Sequence, residues 1–290
     1  MARVQAGALV GSTFRLVFGN LPVFLRTVGV PFVLVALLGL ASTLTLRALP
    51  PFTAGDPKGL DYAALGRVVG FSLLFGIASL FAQIVCTMVG CVAAARVQEG
   101  RTVGFQEAWS EVRPRFGAFL ATTLLLVATF VGIMLLGLVG IIFIVGPFIA
   151  LGFAIYLAVR WVVAPQATLF EGSRAGESLK RSSELTKGAR GAIFGAVVLL
   201  ALAILVPILI VVLPVMLATF SDRIAAAQRG ETFVAPQPTL GASLLQWALG
   251  SVISFFSISL FAAFGTILYR ELLRTPAEPV LGHIGEAPMP

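Results

Sequence analysis

The chain has 290 residues, of which 58% are hydrophobic and only 11% charged, with a net charge of +7 and a mean hydropathy of +1.01. A water-soluble domain carries about a quarter charged residues, so the composition excludes an ordinary soluble enzyme or binding domain. In a soluble protein the basic excess would point to nucleic acid; here the basic residues flank apolar runs, and the excess reads as membrane topology and contact with anionic headgroups.

Uncharged stretches occupy 27–46, 68–95, 116–159, 191–221 and 232–269. A hydrocarbon core of about 30 Å needs about 20 helical residues, so each crosses once, except 116–159, which is long enough for two spans and a turn. The turn is expected at Gly137–Gly140 or at Gly146–Pro147, because glycine and proline punctuate helices. The expectation is an all-α bundle of about six transmembrane helices. The runs lack the period-two alternation of a membrane barrel, and the first one begins too late and is too long for a cleavable signal. Residues 1–275 read as one transmembrane domain, and 276–290, which contain His283, as a disordered cytoplasmic tail.

Of the 20 lysines and arginines, fourteen fall on one side of this threading and five on the other, with Arg160 at a span end. The positive-inside rule then puts both termini in the cytoplasm. On the same side, each pair of spans is preceded by a candidate surface helix. The first carries Val10, Phe14, Val17, Phe18 and Leu21 at helical spacing, and the second Phe105, Ala108, Trp109, Val112 and Phe116. The third has the weaker stripe Ala175, Leu179, Ser182 and Leu185, with charge pairs Glu177–Arg181 and Lys180–Glu184 expected at helical spacing. The order surface helix, span, span thus recurs three times, the pattern of a threefold repeat.

Candidate polar positions are few. In span 2, Ser72, Gly76, Ser79, Gln83, Thr87 and Gly90 follow helical steps of four and three along one face. Such a face reads either as close helix packing or as a polar pathway or headgroup groove. Ser251, Ser254 and Ser257 offer a similar side of span 6. Pro207 and Pro214 in span 5 read as a kink or a hinge. Arg160, beside Trp161, reads either as an arginine snorkelling at the interface or as a ligand for a lipid phosphate or another anion. With Pro165 bending the chain, 161–170 are expected along the inner interface, and Arg160 at the cytoplasmic face within salt-bridge reach of Glu171, Glu177 or Glu184 or of a bound headgroup. Cys86 and Cys91 lie within span 2 and are expected to be reduced core residues.

Other chemistries lack their residues. No acidic residue falls in a predicted span, so a carboxylate proton relay has no members. No cluster has metal-ligand spacing, and no phosphate-binding loop is present. No catalytic residue, metal or cofactor is therefore assigned, and the expectation is a non-enzymatic protein.

The segment Tyr156-Leu-Ala-Val-Arg160-Trp161-Val-Val-Ala-Pro165, followed by Glu171-Gly172 and then Glu177-Ser-Leu-Lys-Arg-Ser182-Ser-Glu184-Leu185-Thr186-Lys187-Gly188, resembles a six-span prokaryotic membrane family. That family includes the membrane domain fused to some glycerophosphodiester phosphodiesterases and the YciC-like inner-membrane proteins. Ser183 stands where relatives commonly have tryptophan, and the chain has no phosphodiesterase domain. The resemblance implies a membrane domain linked to envelope lipids, without hydrolase activity.

The function expected is binding or moving a lipid or other amphiphile, or scaffolding a membrane complex, with membrane lipids as partners and a homo-oligomer allowed. The alternative is a transporter or channel for a small solute. A solvent-connected cavity reaching mid-bilayer favours the alternative, whereas a groove open sideways to lipid favours the first. The threading itself is testable with single cysteines: Lys58→Cys and Arg229→Cys are expected to react with an impermeant thiol reagent outside intact cells, and Glu111→Cys and Lys180→Cys only after lysis. Outside labelling at 111 would overturn the threading.

Overall fold

A computed structural model describes residues 5–48, 62–140, 145–229 and 239–274. The tail from 275, and most of the loop 48–66 and of the connection after residue 229, lie outside these. The helices are α1 (Ala6–Gly19), α2 (Leu21–Thr27), α3 (Gly29–Ala48), α4 (Tyr62–Gln98), α5 (Phe105–Val112), α6 (Phe116–Val139), α7 (Gly146–Arg160), α8 (Ala164–Glu171), α9 (Ala175–Leu185), α10 (Arg190–Gln228) and α11 (Leu240–Arg274), and no strand occurs among the described residues. Five helical tracts are long and apolar enough to cross a membrane: Gly66–Gln98, Phe105–Val139, Gly146–Glu171, Arg190–Ile210 and Leu240–Arg274. The expected first span corresponds to α3, whose apolar stretch Gly29–Thr45 is shorter. The all-α polytopic bundle is as expected.

The long helices alternate in direction. Val28 lies beside Gly90, Phe32 meets Phe255 and Gly39 lies beside Trp247, so α3 runs antiparallel to both α4 and α11. Gly90 with Ala262, Cys91 with Thr266 and Ala95 with Arg270 make α4 and α11 parallel. The ends at which α4, α7 and α11 finish and α3, α6 and α10 begin are wrapped by the short helices α1, α2, α5, α8 and α9, which form a collar. Here lies the main apolar core, with Val17, Phe24, Met88, Val92, Val112, Leu169, Ile193 and Leu268 fully covered. Away from the collar the helices present apolar side chains outward, including Leu37, Leu74, Leu136, Phe148, Leu205 and Leu245. Water would not tolerate such a surface, whereas lipid solvates it.

The short helices follow the expected order but differ in detail. The buried face of α1 is Leu9, Thr13 and Val17, rotated from the expected stripe, with Phe18 exposed and stacked on Phe256. Leu21 does not extend that helix: the chain bends by 73° between α1 and α2, where Asn20 intervenes and Pro22 sits in the first turn of the next helix. In α5, Ala108 and Val112 are buried while Phe105 and Trp109 stack at 6.3 Å over the core. The buried face of α9 consists of Ser178 and Ser182, which explains its weak apolar stripe. Both expected turn sites bracket the α6–α7 connection: Gly140 caps α6, and Gly146–Pro147 opens α7. Both prolines of span 5 lie within the continuous helix α10.

The collar depends on a tight layer between α3, α4 and α11. A β-carbon placed on Gly90 would sit 3.0 Å from the Ala262 β-carbon and 3.3 Å from Val28 Cγ2. Gly90→Leu is therefore expected to overpack this layer, at a cost of about 1–3 kcal/mol, and to lower the melting temperature in detergent. Gly76→Leu, whose β-carbon meets nothing within 4 Å, is expected to leave it near wild type. Equal melting of the two variants would contradict the layer.

Candidate functional site

The rim around Arg160 is built by the α7–α8–α9 segment. Arg160 is half-buried and its Nε donates to Ser183 Oγ at 2.7 Å, while its carbonyl accepts from Ser182 Oγ at 3.0 Å and Thr186 Oγ1 at 3.2 Å. The two hydroxyls thus satisfy an orphan carbonyl at the C-terminus of α7. Trp161 packs against a small cluster of Ile133, Ala154 and Leu157. Arg160 forms no ion pair with Glu171, Glu177 or Glu184 among the described residues, so the rim is assembled by other pairings. The Glu171 carboxylate accepts from Tyr269 O–H at 2.6 Å and from Arg181 Nε at 3.0 Å, Glu177 accepts the Arg174 backbone N–H at 3.2 Å as the N-terminal cap of α9, and Glu184 is exposed. Arg181 thus turns to Glu171 rather than to Glu177.

The reason lies in α8. Pro165 opens it in the first turn, and Ala164, Gln166, Ala167, Thr168 and Leu169 are buried. It is packed between α6, α9 and α11 instead of lying along the interface as its sequence position suggested. Arg115 donates to the Leu169 carbonyl near its C-terminus, and Thr122 shares a hydroxyl bond with Thr168 at 2.9 Å. Gly172 ends the helix with φ +72° and Gly188 follows α9 with φ +89°, left-handed positions that glycine adopts without strain. The glycine and serine positions of the motif thus have structural roles in folding α7, α8 and α9 onto one another.

A second polar line crosses the collar edge. Arg270 contacts Glu99 at 2.6 Å, Glu99 contacts Arg96 at 3.2 Å and Arg96 contacts Glu111 at 2.8 Å, tying α11, α4 and α5 together. All are partly exposed, so each pair contributes little alone; together they fix the register of the helix ends.

The stripe of span 2 divides. Ser72 is exposed toward the far end of α4, Thr87 donates to its own helix at the Gln83 carbonyl, and Gly90 belongs to the tight layer. Ser79 and Gln83 line a cavity of about 640 Å³ between α3, α4 and α11, within the size range of ligand sites. Phe32, Gly39 and Thr43 line it from α3, and Ser243, Gln246, Trp247, Gly250, Ser251 and Ser254 from α11. Ser257 is not among the lining residues. Trp247 donates its indole N–H to the Ala36 carbonyl at 2.9 Å, bracing α11 against α3, and Gln83 donates to Ser79 Oγ at 3.1 Å. Gln246, Ser251 and Ser254 have no hydrogen-bond partner among the described residues. At the collar end the cavity is floored by the Phe32–Phe255 edge contact, with Val28, Cys86 and Gly90 fully covered beneath. Gln83, Gln246, Gly250 and Ser254 are exposed, so the cavity is an open groove at these residues.

Sequence reasoning found the α4 wall and two of the α11 serines. It missed Ser243, Gln246, Trp247 and Gly250, although 243, 247, 250 and 254 repeat the same steps of four and three that marked α4. Thr43 and Gly39 on α3, four apart, were a shorter version of that signal.

The ion pairs of the collar edge give a pH dependence. The Arg270 guanidinium donating to Glu99, with Arg96 beside it, holds the Glu99 carboxyl below its ordinary value. A carboxyl depressed in the folded state stabilises the fold above its unfolded pKa, about 4.3, and loses that contribution as pH falls through the lower folded value. Wild type is expected to lose melting temperature on acidification below about pH 4.3, and Glu99→Gln to lose less over the same interval; identical slopes would remove Glu99 from the account. Comparison of the chain with known protein families, with curated proteins and with solved structures finds no match.

Proposed function

We propose that this is a non-enzymatic protein of a prokaryotic inner membrane, with both termini in the cytoplasm, that holds a lipid or another amphiphile in the groove between α4 and α11. The observation that carries the reading is a set of polar groups, Gln246, Ser251 and Ser254, that line one cavity on otherwise apolar helices and have no hydrogen-bond partner among the described residues. An amide or hydroxyl left without a partner in hydrocarbon costs roughly 2–7 kcal/mol, so a polar occupant of the groove lowers the free energy of the whole bundle. The floor at Phe32 and Phe255 supports a blind, sideways-opening site over a through-going solute path. The collar, rich in arginine, would rest on anionic headgroups, with Arg160 at that interface offering the guanidinium nitrogens that Ser183 leaves free. The resemblance to a six-span family linked to envelope lipids points the same way.

A photoreactive residue placed at Gly250, inside the groove, and another at Leu138, on the outward face of α6, test the reading in native membranes. Position 250 is expected to capture one or a few lipid species and position 138 the bulk mixture. Capture of the same bulk mixture at both positions, or of none at 250, would make the groove ordinary protein surface.

A further inference from the structure

The groove also carries information about the chemistry of its occupant. Its polar groups are all neutral: the hydroxyls of Thr43, Ser79 and Ser251, the amides of Gln83 and Gln246, and further serines beside them. Part of this set is already committed, because Thr43 donates to the Gly39 carbonyl at 2.8 Å and Gln83 donates to Ser79. What remains is balanced between donors and acceptors. Gln246 offers an N–H₂ and a carbonyl, Ser251 and Ser254 each offer a hydroxyl that donates or accepts, and Gln83 keeps its carbonyl oxygen.

A phosphate headgroup only accepts and carries charge, and an ammonium only donates and carries charge. An ion brought from water into a low-dielectric cleft is held only where an opposite charge and further hydrogen bonds meet it. Among the described residues, none that lines the groove is charged. Along α4, Arg67 lies twelve residues before Ser79 and Arg96 thirteen after Gln83, about 18 and 20 Å of helix; the basic residue nearest in sequence to a lining position is Arg47, four residues after Thr43 on α3. The basic collar is separated from the groove by the Phe32–Phe255 contact and the covered layer below it. A hydroxyl-rich neutral group, by contrast, both donates and accepts, and matches what the groove leaves free.

We propose, on the reading of the groove as an amphiphile site, that its ligand is a lipid with an uncharged, hydroxyl-bearing headgroup, such as a glycosyl or glyceryl diacyl lipid, in preference to an anionic phospholipid. The headgroup sits among Gln83, Gln246, Ser251 and Ser254, and the acyl chains leave between α4 and α11 along the apolar side chains that face the bilayer. A free sugar shares the headgroup chemistry but not the chains, so the lateral opening gives it no added contact.

The test reconstitutes the full chain in nanodiscs doped with monoglucosyl diacylglycerol, with phosphatidylglycerol of the same acyl chains, or with free glucose in the buffer, and measures ligand retained per protein by native mass spectrometry. Wild type is expected to retain the glycolipid above the other two. Gln83→Leu and the milder Ser254→Ala are each expected to lower that retention about fivefold to tenfold, the factor that one neutral hydrogen bond carries. Arg47 follows Thr43 by four residues, so Arg47→Gln is the control for anion binding and is expected to leave glycolipid retention unchanged. Preferential retention of phosphatidylglycerol, abolished by Arg47→Gln, would overturn the proposed headgroup chemistry while leaving an amphiphile site in place. Retention of glucose alone would overturn the lipid. Retention of no ligand above bulk would overturn both the headgroup and the groove reading beneath it.

Discussion

The close approach of α4 and α11 at Gly90 and Ala262 governs how the neighbouring helices of this bundle are placed. Two helices meet at such short range only where one has no side chain to interpose, and here the contact recurs through Cys91 and Ala95 toward the collar. Running parallel, the pair needs a third helix between its far ends, and α3 supplies it: just before its start Thr27, the last residue of α2, donates to the Val103 carbonyl, and near its middle the Ala36 carbonyl accepts the Trp247 indole N–H. Beyond this layer the facing side chains become more polar, and a cavity opens between the three helices. The groove is thus the far side of the same packing decision that makes the collar tight.

The collar solves a different problem. Helix ends meeting in one place bring together carbonyls and amides that their own helices cannot satisfy. The sequence answers with hydroxyls and guanidinium groups: Ser182 and Thr186 on the Arg160 carbonyl, Arg115 on the Leu169 carbonyl, Arg270 on the Ala95 carbonyl. Several basic residues of the collar therefore close helix ends, so their number there does not by itself point to a ligand.

Legibility in the sequence depends on the range of each interaction. The long helices are legible because hydrocarbon demands a run of apolar residues that no other environment requires. The Ser79–Gln83 wall is legible because a helix repeats locally. Its facing wall on α11 lies more than 160 residues away, and nothing local says that the two stripes share a cavity. The pairing of Glu171 with Arg181 and Tyr269 is hidden for a similar reason: an apolar segment such as 161–170 fits an interface and a core equally well by composition. The packing of α8 between α6, α9 and α11, which swings Glu171 toward α11, is a tertiary fact. The bend at Asn20 is marked by Pro22, but the apolar stripe running through it conceals the break.

The distribution of packing has a mechanical corollary. The α6–α7 hairpin is held to itself at Gly137 and Ala150, and α10 packs chiefly on α1 and α7, while α3, α4 and α11 form the braced group around the groove. A change in bilayer thickness is met by tilting helices, and tilt is easiest where few side chains interlock. In a thinner membrane the hairpin and α10 would lean from their bases while the braced trio kept its angles. The groove would then keep its shape across membranes whose thickness differs, with the looser helices absorbing the mismatch around it.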